Sequence, residues 1–355
     1  MTLRTFSRRS LARAAVGAVA LAGAHAAMAV PTWCANVSAN TCAVAQRIGT
    51  GLNVDGPIAS DDDHPAGRLT RDQIADICRR FQSVRLPLRF SDQDGNPLPK
   101  RIAAAKALAD QFVSCGAVVI VDNHLFKGFE KEVQTGEPGA DQHFQAIWSQ
   151  VAQAFKGDSP NIVLELLNEP SERIKAERWN QAAAAALKQI RAAGNQNTVL
   201  MGTVNYNGVW TLGQLRVPAD RDVIVGVHIY EPMSFTHQGA EWMRQAMPAG
   251  VTCCDAAESV KIQKMIGRAR QWSNDAGVPI VVGEFGVMRK APAQQRVDYV
   301  RAFAAAARQA QVPLLYWEYD KGFGLYDAKA GQWDQSMLDA LGGKGPPAPV
   351  ASPGA

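Results

Sequence analysis

Short apolar runs rich in β-branched residues recur along the chain, each separated from the next by a longer stretch of helix-forming residues. Ile162-Val163-Leu164 and Ile280-Val281-Val282 are typical, and unbroken apolar character of this length marks strands buried on both faces, as in a parallel sheet. The pattern predicts strands at 47–54, 83–86, 117–122, 162–167, 198–203, 223–228, 279–284 and 313–317. Helices are predicted between them. Thr70 and Gln73 form a possible capping box before the apolar stripe Ile74, Ile77, Cys78, Phe81, and alanine-rich stretches follow at 101–114, 142–155, 176–193, 260–276 and 293–310. Eight strands alternating with helices predict an α/β fold, a single (β/α)8 TIM barrel. A doubly wound open sheet is the alternative, but no glycine-rich phosphate fingerprint follows the first strand.

Polar and aromatic residues break the apolar runs at their carboxyl ends: Arg85, Asp122-Asn123-His124, Asn168-Glu169, His228-Ile229-Tyr230, Glu284 and Tyr316-Trp317-Glu318. Such groups are costly to bury unpaired, so their convergence on the edge where barrel enzymes keep their chemistry predicts one solvated, hydrogen-bonded site. Two glutamates at strand ends suggest glycoside hydrolysis. Retaining hydrolysis needs one carboxyl protonated to donate to the leaving oxygen and one ionised to attack the anomeric carbon. Arg85 and Tyr230 suit an ionised Glu284, Asn168 suits a sugar 2-hydroxyl, and Glu169 is expected to hold its proton to higher pH. His124 and His228 are expected to donate hydrogen bonds rather than bind metal, and Trp317 offers a flat face to a sugar ring.

The chain resembles glycoside hydrolase family 5, the cellulase-like members of the clan of barrel glycosidases. The resemblance rests on Arg85, His124, Asn168, Glu169, His228, Tyr230, Glu284 and Trp317 in order, and on Phe323-Gly324-Leu325-Tyr326-Asp327 before Trp333. It implies that Glu169 is the acid/base and Glu284 the nucleophile of a retaining reaction without cofactor or metal. The expected substrate is a β-1,4-glucan cut internally, with mannan, xyloglucan or a shorter glucoside as alternatives. Sugar choice is expected in the loop 231–260; its exchange for another loop without a change in preference would contradict this. A non-catalytic carbohydrate-binding barrel would be expected to lose a carboxylate or its partners. A metal-dependent barrel enzyme would need His, Asp or Glu ligands converging on one ion.

Composition narrows the partners. The 355 residues are 47% hydrophobic with a formal charge of +4. Arg4, Arg8, Arg9 and Arg13 account for that excess, and without them the chain is formally neutral. No footprint for nucleic acid or an anionic membrane remains. Those arginines open an expected signal peptide, 1–29, with an apolar stretch at 14–24 and cleavage after Ala27-Met28-Ala29. Ser7-Arg8-Arg9-Ser10-Leu11 leaves both the general secretory and the twin-arginine routes open. The mature protein is expected to be secreted or periplasmic and free of the membrane. No stretch signals an oligomer interface, and a monomer is expected.

The catalytic domain is assigned to 30–341, and 342–355, rich in glycine, proline and alanine, to a disordered tail. Six cysteines in an exported chain permit disulfides. Cys34 and Cys42, flanking a short polar loop, are the best pair. Cys78 reads as a buried thiol that reaches Cys115 only if two helices pack suitably, and Cys253-Cys254 are open to a vicinal bridge, a bridge to elsewhere or two free thiols. Asp61-Asp62-Asp63-His64 reads as a solvated acidic loop. Trp210, Trp242 and Trp333 read equally as sugar platforms or as caps on the barrel. Asn205 and Tyr206 either line the cleft or form a turn.

Overall fold

A computed structural model describes Met1 and residues 30–54, 69–243 and 247–343. The described residues from Pro31 to Gly343 form one compact unit. The expected signal peptide, the Asp61–His64 loop and all of the tail beyond Gly343 lie outside the described residues. Eight parallel strands close into a barrel in sequential order: β1 Thr50–Asn53, β2 Ser83–Leu88, β3 Val118–Asn123, β4 Ile162–Glu165, β5 Thr198–Met201, β6 Val223–His228, β7 Ile280–Phe285 and β8 Leu314–Tyr316. β1 pairs with β8 as well as β2, which removes the open edges.

Helices Arg71–Arg80, Pro99–Ser114, Ala140–Ala154, Ala176–Ala192, Ala256–Ala276, Ala293–Gln309 and Gln335–Leu341 surround the strands. Thr70 and Gln73 form both halves of the expected capping box. A second box, Asp255 with Glu258, starts the helix expected at 260 four residues earlier, because satisfying the first amides favours extending it to the cap.

The first strand is shorter than expected because residues 47 and 48 end a helix, Ala39–Ile48, that the hydrophobic pattern hid. Ser38 caps it, and Gly49 turns the chain at φ 53°. This helix closes the amino-terminal end of the barrel. Its Val44, Ala45 and Ile48 join Val118, Ile120, Val163, Leu200, Ile224, Val281 and Leu315 in one buried cluster, and Thr41 Oγ1 donates to Asp222 Oδ1 at 2.8 Å. Cys42 lies within this helix and is bonded to Cys34. Cys78, expected as a thiol, is bonded to Cys115 because Arg71–Arg80 and Pro99–Ser114 pack side by side. Cys253 and Cys254 are bonded to each other.

Strand side chains alternate between faces, so the inner face can be followed upward two residues at a time. Ser83 leads to Arg85, Ile120 to Asp122 and Val163 to Glu165. The apolar plug thus gives way to a buried charged layer at the carboxyl end, with Arg85, Asp122 and Glu165 exposed by 1% or less. Among the described residues no helix is long and apolar enough to cross a membrane.

Candidate active site

Arg85 organises the mouth of the barrel. Its Nε donates to Glu165 Oε2 at 2.6 Å, and its Nη2 reaches Glu165 Oε1 at 3.0 Å and Asp122 Oδ2 at 2.9 Å. Nη1 donates to Asn53 Oδ1 at 2.9 Å and to Glu284 Oε1 at 2.7 Å, while Nη2 also donates to Asn168 Oδ1 at 2.9 Å. A planar guanidinium suits this forked arrangement, which lysine could not reproduce. The carboxylates of Asp122, Glu165 and Glu284 raise the affinity of Arg85 for its proton against the opposing effect of burial.

Glu284 stands near the end of β7, where a shift of register between β6 and β7 brings it opposite His228. Its second oxygen, Oε2, accepts a hydrogen bond from Tyr230 Oη at 2.9 Å. Burial, together with the negative charge of Glu284, holds Tyr230 well above the usual phenol range, so this phenol remains a donor at neutral pH.

Glu169 lies beyond β4 in a left-handed conformation, φ 39°, rare for a residue with a side chain and concentrated where surrounding structure fixes a working group. Burial raises its affinity for a proton above that of an ordinary glutamate, although His124, Arg85 and Lys127 oppose the rise. Its side chain remains 29% exposed, against 6% for Glu284, so it faces the cleft.

His228 lies between the two carboxylates. Nδ1 is 2.8 Å from Glu169 Oε1 and 3.5 Å from Glu284 Oε2. Burial pushes its imidazolium down to about pKa 4, so the ring is neutral at neutral pH. An oxygen from each glutamate and a nitrogen of His228 all lie within 4.8 Å of one another. This trio could also meet a cation, but the Arg85 guanidinium 2.7 Å from Glu284 opposes a further positive charge there. Cys253, Cys254 and Glu258 also cluster, but both sulfurs are engaged in a disulfide.

His124 Nδ1 is 2.6 Å from Asp122 Oδ2, and its ring stacks on Trp317 at 5.6 Å and 8°. All eight residues singled out from the sequence therefore converge around the carboxyl end of the barrel. Asn168, expected to meet a sugar hydroxyl, has its carbonyl engaged by Arg85. Asn53, Asp122 and Glu165 were missing from that set. Their signal was a polar side chain two residues beyond an inward apolar or small one.

Trp333 donates to Asp76 at 2.6 Å and packs against Phe81, Tyr319 and Tyr326, which makes it a structural cap. Trp210 is exposed and covered in part by Arg268. Trp242, 62% exposed, adjoins His237 and Phe323, which flank Tyr230.

A closed parallel barrel with two acidic side chains and an aromatic wall at its carboxyl mouth has the architecture of a barrel glycosidase. The sequence model described as Cellulase (glycosyl hydrolase family 5) matches residues 68–322, and the chain belongs to that family. It is 24% identical over 311 residues to Endoglucanase H of Acetivibrio thermocellus, covering 83% of this chain but only 33% of that protein. To Cellodextrinase A of Ruminococcus flavefaciens it is 26% identical, covering 64% of this chain and 71% of that one. Cel5A of Thermotoga maritima in complex with mannotriose superposes with a TM-score of 0.76 and 26% identity, over 84% of this chain and 98% of that one. The chain thus spans about a third of Endoglucanase H and nearly all of the Thermotoga structure.

Proposed function

We propose that this chain is an exported, retaining endo-β-1,4-glucanase in which Glu284 is the nucleophile and Glu169 the acid/base. The observation that carries this reading is the pair of glutamates flanking His228, with one oxygen of each within 4.8 Å of one oxygen of the other. Inverting enzymes hold their carboxyl groups roughly 6.5–9.5 Å apart to admit a water, whereas retaining enzymes hold them at roughly 5–5.5 Å.

The different surroundings support different roles. Glu284, held by Arg85 and Tyr230, forms a bond from a carboxylate oxygen to the anomeric carbon as the bond to the leaving oxygen breaks. Glu169 gives its proton to that oxygen. The glycosyl ester removes the negative charge of Glu284, so Glu169, now a carboxylate, takes a proton from water as the water oxygen attacks the same carbon. The ester bond breaks, Glu284 regains its electron pair, and Glu169 regains its proton. The sugar leaves with its original configuration. Arg85 and Tyr230 hold the nucleophile in place through both steps.

The endoglucanase relative supports a β-1,4-glucan substrate, and the mannotriose complex of the Thermotoga neighbour keeps mannan as the alternative. Disulfides at Cys34–Cys42, Cys78–Cys115 and Cys253–Cys254 support export to an oxidising compartment. Purified protein is expected to release reducing ends from carboxymethylcellulose and barley β-glucan while rapidly lowering their viscosity. Activity confined to mannan or xyloglucan would change the substrate and leave the mechanism; inactivity on every glycan and aryl glycoside would overturn the reading. Activity should survive a chelator.

The raised proton affinity of Glu169 fixes a pH dependence. An acid works only while protonated, so kcat/KM falls as pH rises through its pKa, and that alkaline limb should lie above pH 4.5, the ordinary glutamate value. Glu169→Gln should remove the limb. A limb unchanged in the variant would assign the titration to another group.

A further inference from the structure

Between β5 and β6 three successive residues with side chains adopt left-handed backbone, which is rare in a run. Asn205, Tyr206 and Asn207 follow one another at φ 56°, 59° and 55°, a region that single asparagines visit but that consecutive residues seldom share. Such strain persists where the surroundings hold it and concentrates at working sites. The Tyr206 amide donates to the Pro170 carbonyl at 3.0 Å, and Gly208 bridges to His228 along the backbone. The turn is therefore tied both to the segment bearing Glu169 and to the strand bearing His228.

This turn places Asn207. Its side chain is completely buried, with its amide nitrogen 3.5 Å from His228 Nε2 and no hydrogen-bond partner for Oδ1. A Cβ at position 202 would stand 1.9 Å from that oxygen, so Gly202 makes room for the amide. His228 presents its other nitrogen to Glu169 Oε1 at 2.8 Å. The imidazole thus connects a buried amide to one chosen oxygen of the acid/base.

A neutral imidazole carries one N–H, and the hydrogen bond at one nitrogen decides whether the other bears the proton. An amide N–H directed at Nε2 selects the tautomer with hydrogen on Nδ1, which donates to Glu169 Oε1. A protonated Glu169 then keeps its own proton on Oε2. In the opposite tautomer Nδ1 would accept the proton of Oε1 and withhold it from the leaving group. We infer that Asn207 is a positioning residue for acid catalysis, selecting through His228 the oxygen of Glu169 that carries the transferable proton. The inference rests on the acid/base reading of Glu169.

The test compares kcat/KM for cellotetraose, whose leaving group needs a proton, with that for 2,4-dinitrophenyl β-cellobioside, whose leaving group does not. Asn207→Gly keeps the left-handed turn and removes the amide; Asn207→Asp puts an acceptor at Nε2. Each is expected to lose roughly tenfold or more on cellotetraose, a part of the roughly 10²–10⁴ that general acid catalysis supplies, and less than threefold on the aryl glycoside. Equal losses on both substrates, or none on cellotetraose, would overturn the inference. Glu169→Ala runs alongside. A selective loss in Glu169→Ala without one at Asn207 removes this inference alone, whereas a non-selective loss in Glu169→Ala removes the acid/base reading beneath it.

Discussion

Glu284→Ala is expected to lower kcat/KM on barley β-glucan by about four orders of magnitude, equivalent to about 5.5 kcal/mol of transition-state stabilisation, with no loss of folding stability. The two effects separate because of what surrounds Arg85. Removing Glu284 takes away the group proposed to bond with the anomeric carbon, yet the guanidinium keeps Asp122 and Glu165 at 2.9 and 2.6 Å. It is not left as an unpaired buried charge. The unfolding midpoint in urea should therefore match or exceed that of the wild type, as is common when a group kept for chemistry is removed. A variant with a hundredth or more of wild-type activity would exclude Glu284 as the nucleophile. A collapse in stability would make the activity loss uninformative about mechanism, and Glu284→Gln, closer in shape, would then decide it.

Arg85→Met should do the opposite, damaging fold and activity together. Asp122 and Glu165 are exposed by 1% or less, and both pair with the guanidinium. Breaking a buried ion pair from one side costs about 3–5 kcal/mol, because a desolvated charge remains. With Glu165 stranded and Asp122 keeping only its contacts on the His124 side, the loss should fall within that range, measured as a lower urea midpoint at pH 7 with an unchanged slope. Arg85→Lys should recover only part of it, since an ammonium cannot reproduce the fork to Glu165. Stability within about 1 kcal/mol of wild type in Arg85→Met would contradict a charged layer held together by the guanidinium.

The strands and the mouth of the barrel were legible because both depend on local pattern. Apolar runs mark buried strands, and a polar residue closing such a run marks the edge it faces. What remained hidden depended on partners distant in sequence. Glu165 is absent from the residues singled out in the sequence, since the residue that makes its burial tolerable lies 80 positions away. The Ala39–Ile48 helix merged with the strand after it because Ile48 and Leu52 both read as apolar, while its Ser38 cap comes without a glutamate or glutamine three residues on. Whether Cys78 is a thiol or half of a disulfide depends on how two helices pack. The Asn205–Asn207 turn bears no glycine, the usual signal of left-handed backbone, and is set by its contacts to Pro170 and β6.

The central claim is that Glu284 attacks the anomeric carbon directly, with no space reserved for water between the two glutamates. ¹H NMR of the first sugar hemiacetal released from cellopentaose, recorded before mutarotation, tests it most directly. The β-anomer appearing first is the result expected from double displacement. The α-anomer appearing first would mean that water attacks in a single step, and would contradict both the nucleophilic role of Glu284 and the acid/base role of Glu169.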